Sequence, residues 1–554
     1  MRLPLLLLLA SSLAIAEDDP RLREYHDYAA LTAILSGLTD KHPDLVSVTP
    51  LAETRGGRKV WVVEVADRSA GDPSERPAIL ILGGLSGEQP SGSEVALAVL
   101  LRLIESTDEA VVAVRRSCTF YILPRVHPDG VEARCAGTVT PYDDDHDGLV
   151  DEDPPADVDG DGAIVAMRRK DPAGEWLIDA VDPRAMRKAD TSRGERGEYA
   201  LCGAEGLDAD GDGRVAEDDL GGVLLERNFP IHWQARPDPP GAGWSAVCEP
   251  ETRAVADFLV AHRNIDVAVH YAGAGNVLYW PPAWLEEREV PGEDVGILHR
   301  LAEEYSKATG LDARRVRRDA PPLGRPTGTW LDWAYEGRGI YAFEACLWDL
   351  PEADVPAEAK TRAETKDAEG RLDDALKRER MWLAWSDVKL GGKGFVPWRA
   401  FQHPTLGEVE VGGWRAGARE APPAEALPAL SEKQLPWLVQ VAGHLPRVEL
   451  IGVESKPLGG GHFSVRARVR NAGYLPTASW QARRAEEAGP VVVELAAEGL
   501  VVTMGQARRV LKPLAGAETS DWIEWVVTSE PRDVLVRAWG TRAGRTEVRV
   551  RLGE

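Results

Sequence analysis

The sequence predicts an α/β domain followed by an all-β sandwich, and three observations carry that prediction. The apolar run Ala78-Ile79-Leu80-Ile81-Leu82 leads into a Gly-rich stretch, residues 83–94 (Gly-Gly-Leu-Ser-Gly-Glu-Gln-Pro-Ser-Gly-Ser-Glu), and Val95-Ala96-Leu97-Ala98-Val99-Leu100-Leu101 follows it. This is a buried strand delivering a turn into a helix, the place where open α/β sheets put their chemistry. A second buried strand, Ile265-Asp266-Val267-Ala268-Val269, ends in His270-Tyr271. From about Arg447, short alternating runs recur at residues 448–453, 463–469, 491–495, 522–527, 534–539 and 546–552 between Gly, Pro and Asn turns, as in β-sandwiches.

Taken in order, residues 1–16 carry one basic residue, Arg2, then the apolar run 5–9, then Ala14-Ile15-Ala16 before Glu17-Asp18-Asp19. That pattern predicts a secretory signal cleaved after Ala16, since the apolar stretch is too short to span a bilayer. No later segment is apolar enough to span either, so the expected location is secreted or periplasmic. Tyr28, Leu31, Leu35 and Leu38 sit at helical spacing and Pro43 closes the helix. The turn Thr54-Arg55-Gly56-Gly57-Arg58 leads into a strand at 59–65, and a strand at 118–123 ends in Pro124-Arg125-Val126-His127-Pro128-Asp129-Gly130. His127 reads as a hydrogen-bonded turn residue. A helix at 251–262 precedes the strand that ends in His270. Residues 351–445 read as a helical extension and linker, helical at 360–385, Pro/Ala-rich at 421–430 and helical again at 432–444. Residues 446–554 form the β-sandwich, an accessory module with no chemistry of its own.

With 90 acidic against 65 basic residues, the formal charge is −25. Like charge excludes nucleic acid and anionic membranes as partners, because no counterion release repays the repulsion. Five cysteines (Cys118, Cys135, Cys202, Cys248, Cys346) lack Cys-x-x-Cys spacing, which argues against a zinc knuckle. An exported chain has room for one or two disulfides, with at least one thiol left over.

Residues 141–219 are an acidic insertion. Asp143, Asp145 and Asp147, then Asp157, Asp159 and Asp161, then Asp208, Asp210 and Asp212 place carboxylates at alternate positions ahead of Gly148, Gly162 and Gly213, and Asp151 follows the first of these glycines. Hard oxygen donors folded around a sharp Gly turn suit Ca²⁺. Close-spaced carboxylates repel unless a cation is present. The competing reading is a solvated loop held by Asx-turns.

These motifs, in this order, resemble the zinc carboxypeptidase family, the carboxypeptidase A/B-like metallopeptidases. The likeness rests on the turn at 83–94, the Pro-Asp-Gly turn at 128–130, Leu224-Leu225-Glu226-Arg227-Asn228-Phe229, the strand ending in His270, and Ile340-Tyr341-Ala342-Phe343-Glu344. It implies a mixed twisted sheet with helices on both faces over residues 17–350, a zinc cofactor, and peptide or protein C-termini as partners. In that family the first turn carries a His-x-x-Glu zinc pair; Ser86 and Gln89 stand at those positions here, and His270 matches the third ligand. Glu344 matches the catalytic carboxylate. Arg227 matches the clamp on the substrate's terminal carboxylate, with Glu226 where the family has Asn. Arg168 matches the carbonyl-polarising arginine and Leu331 a pocket-floor position. The family's active-site Tyr is missing, and Gly324-Arg325-Pro326 occupies its place.

A catalytic zinc takes three N, S or O ligands and leaves one position open for water. With a hydroxyl and an amide at two of the three positions, the expectation is a pseudoenzyme that keeps the groove and binds peptides. The alternatives are an active secreted metallocarboxypeptidase and a calcium-stabilised scaffold. A metal-free triad of Ser86, His270 and Glu344 would need geometry that spacing alone does not supply.

Overall fold

The computed structural model describes residues 19–141, 150–151, 153–209, 211–218, 222–234, 241–284, 289–316, 327–366, 372–496, 499–530 and 532–552. The expected signal peptide, Asp143, Asp145, Asp147 and Asp210 lie outside them, as does the segment 317–326 where the family's Tyr was sought.

Among the described residues, fourteen strands make two sheets in the first four-fifths of the chain. In chain order they are β1 (Val46–Glu53), β2 (Lys59–Val65), β3 (Ala78–Gly83), β4 (Thr119–Leu123), β5 (Ala166–Lys170), β6 (Trp176–Ile178) and β7 (Met186–Lys188). Then come β8 (Tyr199–Ala204), β9 (Ile265–Ala274), β10 (Val277–Trp280), β11 (Asp312–Arg315), β12 (Tyr341–Trp348), β13 (Phe395–His403) and β14 (Gly407–Trp414). The large sheet runs β1-β2-β4-β3-β9-β12-β10-β11. Its centre, β4-β3-β9-β12, is parallel, while β1, β2 and β10 add antiparallel pairings. The sheet is mixed, as expected.

Period-2 alternation splits β3 between two cores. Ile79 and Ile81 pack under Leu97, Val99, Leu298 and Trp437 from helices Ser91–Glu105, Gly292–Thr309 and Gln434–His444. Leu80 and Leu82 face Val255, Phe258 and Leu259 of helix Pro250–Ala261. Both faces are covered, which is why the central strands are apolar throughout rather than alternating. The expected first helix spans Tyr28–Lys41, its N-terminus capped by the Asp27 carboxylate accepting from the Ala30 N–H.

The segment 351–445 is not a simple helical linker. Helices Ala357–Ala363 and Asp374–Lys389 are present, but the hairpin β13-β14 joins the acidic insertion in a second sheet, β13-β14-β5-β8-β6-β7. Helix Gln434–His444 buries Leu435, Trp437, Leu438 and Val441 in the main core. Sequence polarity concealed this, because β13 shows solvent most of one face.

From Val448 onward, eight strands among the described residues form two four-stranded antiparallel sheets around Val465, Val493, Trp525 and Val536, a β-sandwich. It is docked by buried polar contacts. Asp294 accepts from the Tyr335 and Tyr341 hydroxyls (3.1 and 3.2 Å) and from the main-chain N–H groups of Trp480 and Gln481 (3.0 Å each). Arg542 donates to the carbonyls of Gly339 and Arg338 and lies 3.5 Å from Asp266, whose carboxyl burial pushes up to about 7. None of the five cysteines, all among the described residues, is in a disulfide. Among the described residues, no helix is long and apolar enough to cross a membrane.

Candidate active site

The site forms at the carboxyl ends of the parallel strands. Pairing places Leu82, His270, Glu344 and Tyr279 side by side on β3, β9, β12 and β10, so their side chains share one face of the sheet. His270 is 1 % exposed. Its Nδ1 lies 3.3 Å from Glu344 Oε2, and its Nε2 is buried without a hydrogen-bond partner. The Trp330 indole N–H donates to the same Glu344 oxygen at 3.2 Å, and the Trp330 ring sits edge-on to His270.

The turn at 83–94 arrives beside β9. Gly92 is obligatory there, because a Cβ would fall 1.9 Å from the Tyr271 carbonyl oxygen. Gln89 Oε1 accepts from the main-chain N–H groups of Gly273 (2.9 Å) and Ala274 (3.2 Å), which fixes its amide against the strand. Ser86 is buried and has no side-chain hydrogen bond to His270, so the Ser86-His270-Glu344 triad is not assembled. The close seat of Gln89 depends on Gly273, where a Cβ would lie 2.5 Å from Gln89 Cβ. Gly273→Ala is therefore expected to lower stability by about 1–3 kcal/mol through overpacking, read as the shift in urea midpoint.

Arg227 ends the short turn Leu225–Arg227, which the buried Asn228 anchors. The Asn228 amide donates to the Ala242 and Ser245 carbonyls, and its oxygen accepts from the Thr252 hydroxyl. Gly328 packs on the Arg227 carbonyl and accepts from the Phe229 N–H. Among the described residues no hydrogen bond or ion pair engages the Arg227 guanidinium, although burial pulls it below its ordinary pKa against the opposing pull of Glu226. Glu226, half-buried, is pushed up to about 7 by burial and then by the charge of Glu344, with His270 and Arg227 acting in the opposite sense. Burial, Glu344 and Glu226 raise the Cys346 thiol well above its usual range.

Two expectations change. Arg168 lies not at this site but in β5, opposite Glu410 of β14. Its guanidinium donates to Glu410 at 2.7 Å and lies over the rings of Trp398 (4.1 Å) and Tyr199 (4.8 Å), holding the hairpin to the insertion. A guanidinium so paired and stacked is not available to polarise a carbonyl. His127 is fully buried with both ring nitrogens unpartnered, and burial pushes it down to about 4; its main chain holds the turn, the N–H donating to the Gly84 carbonyl and the carbonyl accepting from the Val131 N–H. Leu331 packs in the core with Leu82, Phe229 and Trp330. Conversely, Trp330 and Tyr279 belong to the site and were not singled out. Trp330 reaches Glu344 through its indole N–H, and Tyr279 through strand register alone.

In the insertion, Asp157 accepts from the N–H groups of Gly160, Asp161 and Gly162. Asp157, Asp159 and the buried Glu205 bring carboxylate oxygens within 4.8 Å of one another. Asp208 accepts from the Gly211 N–H and Asp212 from the Arg214 N–H, while Asp151 takes a left-handed backbone conformation.

A family profile described as zinc carboxypeptidase matches residues 31–365, and one for a domain of unknown function matches 447–551. Human carboxypeptidase D is 32% identical over 130 residues, 23% of this chain and 9% of that protein. A zinc carboxypeptidase of Saccharothrix mutabilis subsp. capreolus is 26% identical over 110 residues, 20% of this chain and 25% of that one. The chain thus covers a quarter or less of the length of these two curated relatives. A crystal structure of thrombin activatable fibrinolysis inhibitor aligns over 77% of both chains with 13% identity and a TM-score of 0.46. With the profile spanning more than half its length, and with the turn, strand and Arg-Asn-Phe elements assembled around His270 and Glu344, the chain belongs to the zinc carboxypeptidase family.

Proposed function

We propose that this is an exported member of the family that holds peptide C-termini without hydrolysing them. The observation that carries the reading is the state of Gln89. Its amide oxygen, the one atom it could offer a metal, already accepts two main-chain N–H bonds. Ser86 adds a neutral hydroxyl, and the remaining imidazole, His270, turns Nδ1 to Glu344. One imidazole and two neutral oxygens do not fit a catalytic zinc, which needs a donor set that compensates its charge. Without such an ion, Glu344 faces ordinary water and is a weak generator of hydroxide near neutral pH. Arg227, with no hydrogen-bond or ion-pair partner among the described residues, suits a bidentate hold on a terminal carboxylate.

The same reading takes the acidic insertion, through Asp143, Asp145, Asp147, Asp151, Asp157, Asp159, Asp161, Asp208, Asp210 and Asp212, as a calcium-dependent brace. It takes residues 1–16 as an export signal. Family membership favours a second reading, an active secreted metallocarboxypeptidase.

Metal analysis of the purified protein, together with a C-terminal peptide hydrolysis assay and calorimetric peptide binding, separates the two. The expected result is no stoichiometric zinc, no cleavage and saturable binding that needs a free C-terminal carboxylate. One zinc per chain with chelator-sensitive cleavage would overturn the non-hydrolytic reading.

A further inference from the structure

Residues 328–330 touch the Arg227 turn at one end and Glu344 at the other. Gly328, at φ +63°, packs so closely that a Cβ there would lie 2.2 Å from the Arg227 carbonyl oxygen, and its own carbonyl accepts from the Phe229 N–H at 2.8 Å. Two residues on, the Trp330 indole N–H donates to Glu344 Oε2 at 3.2 Å. Two residues of chain span at most about 7 Å. One short piece of backbone therefore sets the Arg227 turn and the contact to Glu344 relative to each other.

Trp330 is 1 % exposed and sits edge-on to His270, with ring centroids 5.9 Å apart. An indole N–H only donates, so Glu344 Oε2 is its acceptor, and the same oxygen faces His270 Nδ1 at 3.3 Å. Turning the carboxylate away would leave a buried indole N–H without a partner, a cost that holds Glu344 in this one orientation. Oε1 accepts from no described residue, and the Glu344 side chain keeps 28 % of its surface exposed. One oxygen is pinned by two neighbours; the other is open to a ligand's donor. In an extended peptide the donors present in every sequence are the main-chain N–H groups, and a carboxylate bonds them more strongly than a neutral acceptor does.

We propose that Trp330 is a positioning residue, holding Glu344 so that its Oε1 accepts a main-chain N–H of the peptide whose terminal carboxylate Arg227 clamps. The proposal rests on the peptide-binding reading and deepens it: the ligand is recognised by a backbone amide as well as by its terminus, so amide-linked chains are preferred to ester-linked ones. No covalent step is involved.

The test uses the full-length mature protein and calorimetric binding of one peptide with a free C-terminus, beside three analogues in which each of its last three amides in turn is an ester. The ester removes the N–H and keeps the chain length. In the parent, one of these esters is expected to bind at least about tenfold more weakly than the peptide, the worth of one charge-assisted hydrogen bond. Trp330→Phe keeps an aromatic ring and removes the donor, and should bring that ratio down to about threefold or less. Arg227→Met should weaken peptide and esters alike and keep the ratio, which separates loss of the clamp from loss of the positioned acceptor. Glu344→Gln preserves the size of the side chain without its charge; it should also lower the ratio, and it decides the matter if Trp330→Phe fails to fold. Equal affinities for the peptide and all three esters in the parent would overturn this assignment and leave the peptide reading standing. So would a ratio unchanged in Trp330→Phe, or in Glu344→Gln where that one decides. No saturable binding of any of the four ligands would overturn both.

Discussion

The double variant Ser86→His, Gln89→Glu is expected to take up one zinc per chain at least about a thousandfold more tightly than the parent, because two of three metal contacts change from neutral oxygens to an imidazole and a carboxylate. The backbone supports this outcome. Gln89 occupies its position through hydrogen bonds from Gly273 and Ala274, and a carboxylate can accept the same two bonds on one oxygen while offering the other to a metal. His270 is already in place on β9, with Glu344 beside it. Zinc content after dialysis measures the result, and failure to retain zinc would mean that the turn has moved, not merely changed its side chains. Hydrolysis is a separate question. Glu226 stands where the family has Asn, so zinc without cleavage would direct attention to that residue next.

The parts of this site that were legible in the sequence are those set by local pattern. An apolar run followed by a Gly-rich turn and an apolar helix gave β3 and helix Ser91–Glu105, and the His at the end of a buried strand gave β9. The parts that were not legible depend on which strands become neighbours. Tyr279 joins Glu344 because β10 runs antiparallel to β12, and nothing in residues 277–280 announces that pairing. Arg168 looked like a site residue because its local motif fitted, whereas Glu410, 242 residues away, decides what its guanidinium does. The same holds for the insertion: the alternation runs through Asp157 and Asp159, yet the buried Glu205 that joins their carboxylates lies outside it. Hydrophobic periodicity reports which face of an element is buried, but not what it is buried against.

Arg227→Met is expected to weaken binding of a peptide with a free C-terminus by about a hundredfold, the worth of a bidentate charge-assisted pair, and to leave the melting temperature unchanged. The lack of a melting effect follows from the guanidinium having no hydrogen-bond partner among the described residues, so its removal orphans nothing. Glu226 then makes the same binding depend on pH. Its carboxyl titrates near 7 in the folded protein, so below that pH it is neutral and can donate to the incoming carboxylate. Above it, a negative charge stands next to the ligand's own. Between pH 6 and pH 8 the neutral fraction falls about tenfold, and affinity should fall with it. The sign for stability is the same. From the ordinary 4.5 up to about 7 the native state holds a proton that the unfolded chain has released, so stability declines as pH rises through that window. Glu226→Gln, neutral at every pH, should flatten both curves and keep the low-pH affinity. Affinity that rose with pH in the parent, or a pH slope that survived in Glu226→Gln, would mean that the ligand's carboxylate does not meet Arg227 beside Glu226. The two variants together therefore test the groove itself, independently of whether any metal can be restored to it.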